Sequence, residues 1–494
     1  MFSSDQISTI FSNLGGMLLY DEKAPMLFSS GIFWLLAIFF LPVYVLLKGS
    51  KSKMVLFVVA FSLYFYYKSS GLFFLMIVAT SIIDWLISWR IFHTKSRKGK
   101  LAWMWLSIFI SISILGYFKY ANFFLWNWNQ MVQGNFQPLD IILPVGISFY
   151  TFQSISYVVD VYKRRITPTR SWLDYIFFLS FFPALVAGPI VRAEYFLPQL
   201  KANRVATKEN IYGGLWLIII GIIKKAIIAD YIAQYNDLVF NEPNIYKGVE
   251  ALMGVLGYTM QIYCDFSGYS DMAIGLALIM GFSLGLNFNS PYKSRNLTEF
   301  WRRWHISLSS WLRDYVYIPL GGNRKGTFRM YLNNFLTMLI GGLWHGAMWK
   351  FVFWGAMHGV GLAVHKAFLP LLRKIPDNWF TIFCSWLLTF LYVSLLWVFF
   401  RAASFEDSIL IIRNIFEEFN WDYFPQFFEV RWEWCVMILL LIIAHFIPDS
   451  WNVKMEKTFL LSPWPVKFLI FLVVVEFVII YMTAEVTPFI YFQF

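Results

Sequence analysis

The chain has 494 residues, of which 59% are hydrophobic and 14% charged, with a formal net charge of +11. A soluble domain of this length could not bury that much apolar surface, so the class is a polytopic membrane protein. The positive balance fits loop charges that set orientation, and no basic–aromatic module for nucleic acid is present.

The N-terminal MFSSDQISTI lacks a basic region ahead of an apolar one, so no cleavable signal peptide is expected. A crossing helix needs about 20 apolar residues, which predicts spans over 32–47, 54–68, 71–92, 101–118, 143–162, 211–235, 249–264, 381–400, 434–447 and 466–483. The loops KGSKSK (48–53), HTKSRKGK (93–100) and KRRITPTR (163–170) are basic and read as cytoplasmic. The Asn/Gln-rich 122–140 and the Asn/Asp/Glu-rich 236–250 read as external, as does 401–433, with seven acidic residues against three arginines. The positive-inside rule then places both termini outside the cytoplasm. The chain reads as one membrane domain over 1–494 with no linker to a soluble one.

Two apolar segments, 171–190 and 334–365, each lie between basic loops. Each must re-enter or cross twice, which membrane-depth backbone tolerates only where protein or a water-filled cavity covers it. Between spans, 291–329 carries eight Lys/Arg against Glu299 and Asp314. Within it WRRWHISLSSWL (301–312) puts Trp301, Trp304, His305, Leu308, Trp311 and Leu312 on one helical stripe, which predicts a continuous amphipathic helix at the interface.

The chain has six histidines. His345, in LIGGLWHGAMWKF, lies about eleven residues into its apolar run, roughly 16 Å from the cytoplasmic edge and near the bilayer midplane. Gly342 and Gly346 flank it in a GxxxG pattern that lets another backbone approach. An imidazole there either packs against a neighbouring carbonyl or works as a base. His358, in the near-copy GAMHG, poses the same choice. His365 reads as interfacial, and His93 and His445 as peripheral.

No metal site is expected, because His358 and His365 stand about 10 Å apart along a helix and no HExxH is present. The three cysteines, Cys264, Cys384 and Cys435, have no CxxC spacing, and no GxSxG occurs. GGNRKG (321–326) lacks the Walker spacing, which leaves a loop held inside by its charge or one that meets donor phosphates. QIYCDFSGYSD (261–271) brings Gln261, Asp265 and Asp271 into a span, where carboxylates mark partners or cavities. Lys224 and Lys225 raise the same question, though lysines can snorkel. The chemistry these groups fit is proton abstraction from a hydroxyl by a neutral imidazole, with a second histidine orienting the acceptor or polarising a thioester.

RNLTEFWRRWHISLSSWLRDYVYIPLGGNRKG (295–326) and GGLWHGAMWKFVFWGAMHG (341–359) resemble the membrane-bound O-acyltransferase (MBOAT) family. The likeness is greatest to its bacterial branch, which includes the alginate O-acetyltransferase membrane subunit. PVGISFYTFQSISYVVDVY (144–162), FFPALVAGPI (181–190) and YTMQIYCDFSGYSDMAIGLALIMGF (258–282) extend the resemblance. It implies an all-α fold, a ring of about 10–12 tilted transmembrane helices with re-entrant and interfacial helices around a tunnel. Residues 295–365 then hold the core motifs, with His345 as catalytic histidine and His305 as the second functional position. Asp265, Gln261, His358, Trp344, Arg302 and Arg303 are candidates for substrate contact or tunnel lining.

The resemblance further implies an acyl-CoA donor, acetyl-CoA first, with no bound cofactor. The acceptor is then an extracytoplasmic polysaccharide, reached through a partner acetyltransferase at the bacterial inner membrane. The tail 484–494 is expected to be external, and its FIYFQF resembles the FxYF tail of this branch. Tyr491 is accordingly an acyl relay or an aromatic anchor. D-alanyl or longer-chain transfer, and a transporter or scaffold without chemistry, are the competing functions.

Overall fold

The computed structural model describes residues 16, 18–22, 25–202, 205–417 and 419–481. Among them every regular element is helical and no strand occurs. With its apolar helices this makes the chain an all-α polytopic membrane protein, because only a helix satisfies its own backbone in lipid. The chain separates into two compact units, one of residues up to Ile211 with Leu276–Leu284, the other Tyr212–Gly275 with the remainder from Gly285.

Five helical runs among the described residues are long and apolar enough to cross a bilayer: Lys51–His93, Arg97–Val132, Lys208–Asn241, Trp379–Arg401 and Trp464–Tyr481. A sixth forms if Trp432–Phe446 and Asp449–Leu461, bent by 97°, count as one broken span. The difference from the ten expected spans has local causes. The first run contains two expected spans, Lys51–Ser70 and Phe74–His93, each 20 residues and about 30 Å long, enough to cross a bilayer. Gly71 separates them with φ +60°, a conformation that favours glycine. Ile147–Tyr162 has only 16 residues, and Val249–Ile279 interrupts its apolar sequence with Asp265 and Asp271.

In the first unit a buried carboxylate gathers four helices. Asp84, on Phe74–His93, accepts hydrogen bonds from Ser107 (2.6 Å), from Ser154 and from Tyr175 (3.4 Å). These hydroxyls come from Arg97–Leu115, Ile147–Tyr162 and Trp172–Ser180, so the polar group fixes the helices' register while its oxygens stay satisfied. The expected re-entrant segment 171–190 is two short helices, Trp172–Ser180 and Phe182–Leu185, broken at Phe181.

In the second unit residues 249–275 of the helix Val249–Ile279 pack against residues 212–222 of Lys208–Ile222 through small residues. A Cβ on Gly221 would meet the Gly268 carbonyl oxygen at 2.6 Å, and one on Gly275 the Gly214 oxygen at 2.5 Å. Beyond Ile222 the helix widens into a π turn over Ile223–Ala229. Both adjacent lysines of that turn ion-pair with the neighbouring helix, Lys224 with Asp271 at 2.7 Å and Lys225 with Asp265 at 2.6 Å, and Lys225 also pairs with Asp230 of its own run at 2.7 Å. Here the lysines are paired and held inward, an arrangement that snorkelling would not require.

The apolar stretch 334–365 turns back on itself. Thr327–His345 ends at Gly346, whose extended backbone leads through Met348 into Trp349–Leu372. The two helices pack as an antiparallel hairpin, with Gly342 against the Phe351 carbonyl and Gly355, and Gly359 against Phe335. Gly342, Gly355 and Gly359 therefore make room for the other arm's backbone in a single contact, while Gly346, past the helix end, faces the Phe351 ring.

Candidate active site

The stretch expected to form one amphipathic helix is broken at its histidine. Leu297–Arg303 starts at Asn296, whose side chain accepts the Glu299 backbone N–H at 2.9 Å, and it stops before Trp304. His305 adopts φ +41° and ψ 56°, a left-handed conformation that costs a non-glycine residue energy unless its surroundings enforce it. The next helix runs Ile306–Leu312. The expected stripe survives the break: Trp304, His305, Leu308, Trp311 and Leu312 are buried and Trp301 half-buried.

Asn287 splints that break. Its backbone oxygen accepts the Ile306 N–H at 2.9 Å, and its side-chain Oδ1 accepts the Ser307 N–H at 3.2 Å. A backbone N–H can only donate, so the amide orientation is fixed. Oδ1 also lies 3.2 Å from Nδ1 of His305, while Asn287 Nδ2 donates to Ser270 at 3.0 Å. An amide oxygen cannot donate, so Nδ1 of His305 carries the proton and Nε2 is the ring's acceptor. The ring packs edge-on against Phe266, with centroids 4.6 Å apart, and is fully buried. His305 belongs to the segment between spans, and burial pushes its pKa down to about 3. It is neutral at physiological pH.

His345 is the last residue of its helix, and 4% of it is exposed. A Cβ on Gly346 would lie 2.1 Å from the Phe351 ring, and one on Gly342 would lie 2.3 Å from the Phe351 oxygen. Both glycines beside the histidine are therefore sterically required. The imidazole is walled by Trp344 (5.0 Å between centroids), Trp354 (5.0 Å) and Phe400 (5.2 Å). Trp344 is also 6.0 Å from His305, so one indole borders both histidines. A helix C-terminus favours a nearby cation by about 0.3–1 kcal/mol, which assists an imidazole that takes up a proton.

The other sequence candidates occupy several settings. His358 is fully buried; the Trp301 indole donates to its Nδ1 at 3.4 Å, and Trp354 packs 4.7 Å away. Arg303 is held by Glu299 at 3.0 Å and donates to the Asn289 oxygen at 3.2 Å, whereas Arg302 is exposed. Asp265 carries the Lys225 ion pair, and Gln261 accepts from Asn236 at 2.9 Å. His365 meets the Thr298 hydroxyl at 3.0 Å. His445 does not fit its peripheral reading: it is 5% exposed and accepts the Tyr292 N–H at 3.1 Å, because Pro291–Lys293 folds over it. Tyr491 and the rest of 484–494 lie outside the described residues. Among the described residues, no group of three or more His, Cys, Asp or Glu side chains could hold a metal.

Sequence reasoning did not single out Asn287 or Trp354. Asn287 sits in LNFNS with no motif to mark it, and Trp354 is one of 23 tryptophans.

Comparison with known proteins agrees with the motifs. Residues 166–406 match the model of the MBOAT, membrane-bound O-acyltransferase family. The chain is 39% identical over 412 residues to a peptidoglycan O-acetyltransferase of Helicobacter pylori, covering 78% of each protein. It is 42% identical over 405 residues to the "Probable alginate O-acetylase AlgI" of Pseudomonas aeruginosa, covering 80% of this chain and 76% of that one. A teichoic acid D-alanyltransferase of Bacillus subtilis is 30% identical over 298 residues, 57% of this chain and 74% of the relative.

Proposed function

Since the chain belongs to the membrane-bound O-acyltransferase family and is an acyltransferase, we propose that it transfers an acetyl group from a cytoplasmic thioester, acetyl-CoA, toward an extracytoplasmic polysaccharide. The observation that carries this reading is the shared wall. Trp344 borders both His345 and His305, two buried imidazoles on separate elements of the same unit.

In this reading His345 is the general base. It takes the acceptor's hydroxyl proton as the oxygen attacks the thioester carbonyl and the C–O bond forms. When the tetrahedral intermediate collapses, the C–S bond breaks, and the imidazolium returns the proton to the leaving thiolate. The reaction is proton-neutral, and base catalysis of this kind is worth about 10²–10⁴ in rate. His305, protonated at Nδ1, offers Nε2 as an acceptor. Because the attacking hydroxyl's single proton goes to His345, Nε2 of His305 suits a second N–H or O–H of the bound acceptor, and in this tautomer it cannot donate to the thioester oxygen.

The exposed basic loop GGNRKG is suited to the donor's phosphates. The inner membrane is the expected location, with both termini extracytoplasmic, and a partner acetyltransferase passes the group to the polymer. Tyr491 is the proposed relay at the external side. Labelled Tyr491 after incubation with labelled donor supports it; no label, with full transfer by Tyr491→Phe, removes it.

The similarity to a D-alanyltransferase favours a second donor chemistry, D-alanyl transfer from a carrier thioester. Purified protein incubated with acetyl-CoA and with D-alanyl thioesters separates the two. Free thiol release and an acetyl mass shift with acetyl-CoA support the proposal; release only with the D-alanyl donor replaces it.

A further inference from the structure

If His305 can only accept, the thioester oxygen needs donors from elsewhere. Tryptophan's indole nitrogen is a donor only, so the Trp301 bond to Nδ1 of His358 makes Nδ1 the acceptor. A neutral His358 then carries its proton on Nε2. That N–H is fully buried and has no hydrogen-bond partner among the described residues. The same holds for the indole Nε1–H of Trp354, which is 1% exposed. The Trp354 ring packs 4.7 Å from His358 and 5.0 Å from His345.

Native interiors pair nearly all of their buried polar atoms, and an unmatched donor costs about 1–3 kcal/mol. Two such donors sit on neighbouring rings one turn apart on a single helix, and one of those rings, Trp354, packs against the base of the reaction. We propose that Trp354 Nε1–H and His358 Nε2–H form the carbonyl-binding site for the acyl thioester. They are aimed at the position that oxygen takes when the acceptor hydroxyl adds, so they stabilise the oxyanion more than the ground-state carbonyl. Electrons of the C=O bond move onto that oxygen as the C–O bond forms, then return as the C–S bond breaks. Trp301 is the positioning residue that selects the donor tautomer of His358.

This assignment rests on His345 being the base, so His345→Ala is measured alongside. Trp354→Phe keeps an aromatic ring beside His345 and removes only the N–H. His358→Leu removes the second donor. His358→Gln restores an N–H donor while offering an oxygen to Trp301. Each is assayed with acetyl-CoA for kcat and KM per folded molecule, and for thermal unfolding.

The proposal expects Trp354→Phe and His358→Leu each to lose about 10²–10³ in kcat, the usual cost of one oxyanion donor. It expects little change in KM, no fall in unfolding temperature for Trp354→Phe, and partial recovery in His358→Gln. Wild-type kcat in either Trp354→Phe or His358→Leu overturns the two-donor site. So does a kcat loss that His358→Gln fails to reduce. Retained transfer in His345→Ala instead overturns the base assignment, which separates the two failures.

Discussion

Asn287 Oδ1 lies 3.2 Å from Nδ1 of His305 and accepts the Ser307 backbone N–H at the same distance, so one amide both closes a helix break and sets a histidine's tautomer. The left-handed backbone at His305 is thus held by a residue 18 positions upstream.

Asn287→Ala removes the Oδ1 that Nδ1–H and the Ser307 N–H share. Losing a shared acceptor of this kind costs about 1–3 kcal/mol, so unfolding temperature and transfer should both fall. Asn287→Asp keeps the acceptor and adds a negative charge beside the ring, which favours the imidazolium. Its activity should decline on the acid side at higher pH than in the wild type, and an unchanged pH–rate profile would argue against the contact.

The hairpin beside His345 depends on a missing side chain. Gly342→Ala drives a methyl into the Phe351 carbonyl, 2.3 Å away. Overpacking of this kind costs about 1–3 kcal/mol, and because it displaces the turn that carries His345, transfer should fall too. Gly341→Ala meets only the movable end of Leu312 at 3.1 Å and serves as the tolerated neighbour. Paired unfolding and activity measurements check the contrast.

Acid should destabilise the protein through His305. Its folded pKa is pushed down to about 3, whereas an unfolded histidine titrates near 6.5. Between these values the unfolded chain binds the extra proton, so this contribution is fully present above about pH 6.5 and is lost as pH falls toward 3. The slope is about 1.4 kcal/mol per pH unit for one such group. Denaturation from pH 7 to 4.5 should be shallower in His305→Asn than in the wild type.

Lys225 is shared between Asp265 and Asp230 in a span, so removing it takes a cation from one buried and one half-buried carboxylate. Lys225→Met should cost about 3–5 kcal/mol, the range for breaking a buried pair from one side. Combining it with Asp265→Asn should restore part of that loss, as the double-mutant cycle would record.

Much of this was legible in the sequence because it follows from apolar length and loop charge. The basic flanks of 334–365 require a turn, and the paired glycines mark where its two arms meet. The burial of His305 follows from its helical stripe. The break at His305 does not, since a helical wheel sees only neighbouring positions and Asn287 acts from outside the window. Lys224 and Lys225 were ambiguous because their partners lie on another helix. His445 reads as peripheral in the sequence because its cover comes from Tyr292, 153 residues away.

The central claim is that His345 is the base of the transfer. It is tested most directly by acetyl transfer from acetyl-CoA by purified His345→Ala, normalised to folded protein. The account predicts a fall of about 10²–10⁴ with folding intact. Transfer at the wild-type rate by the folded variant would contradict it.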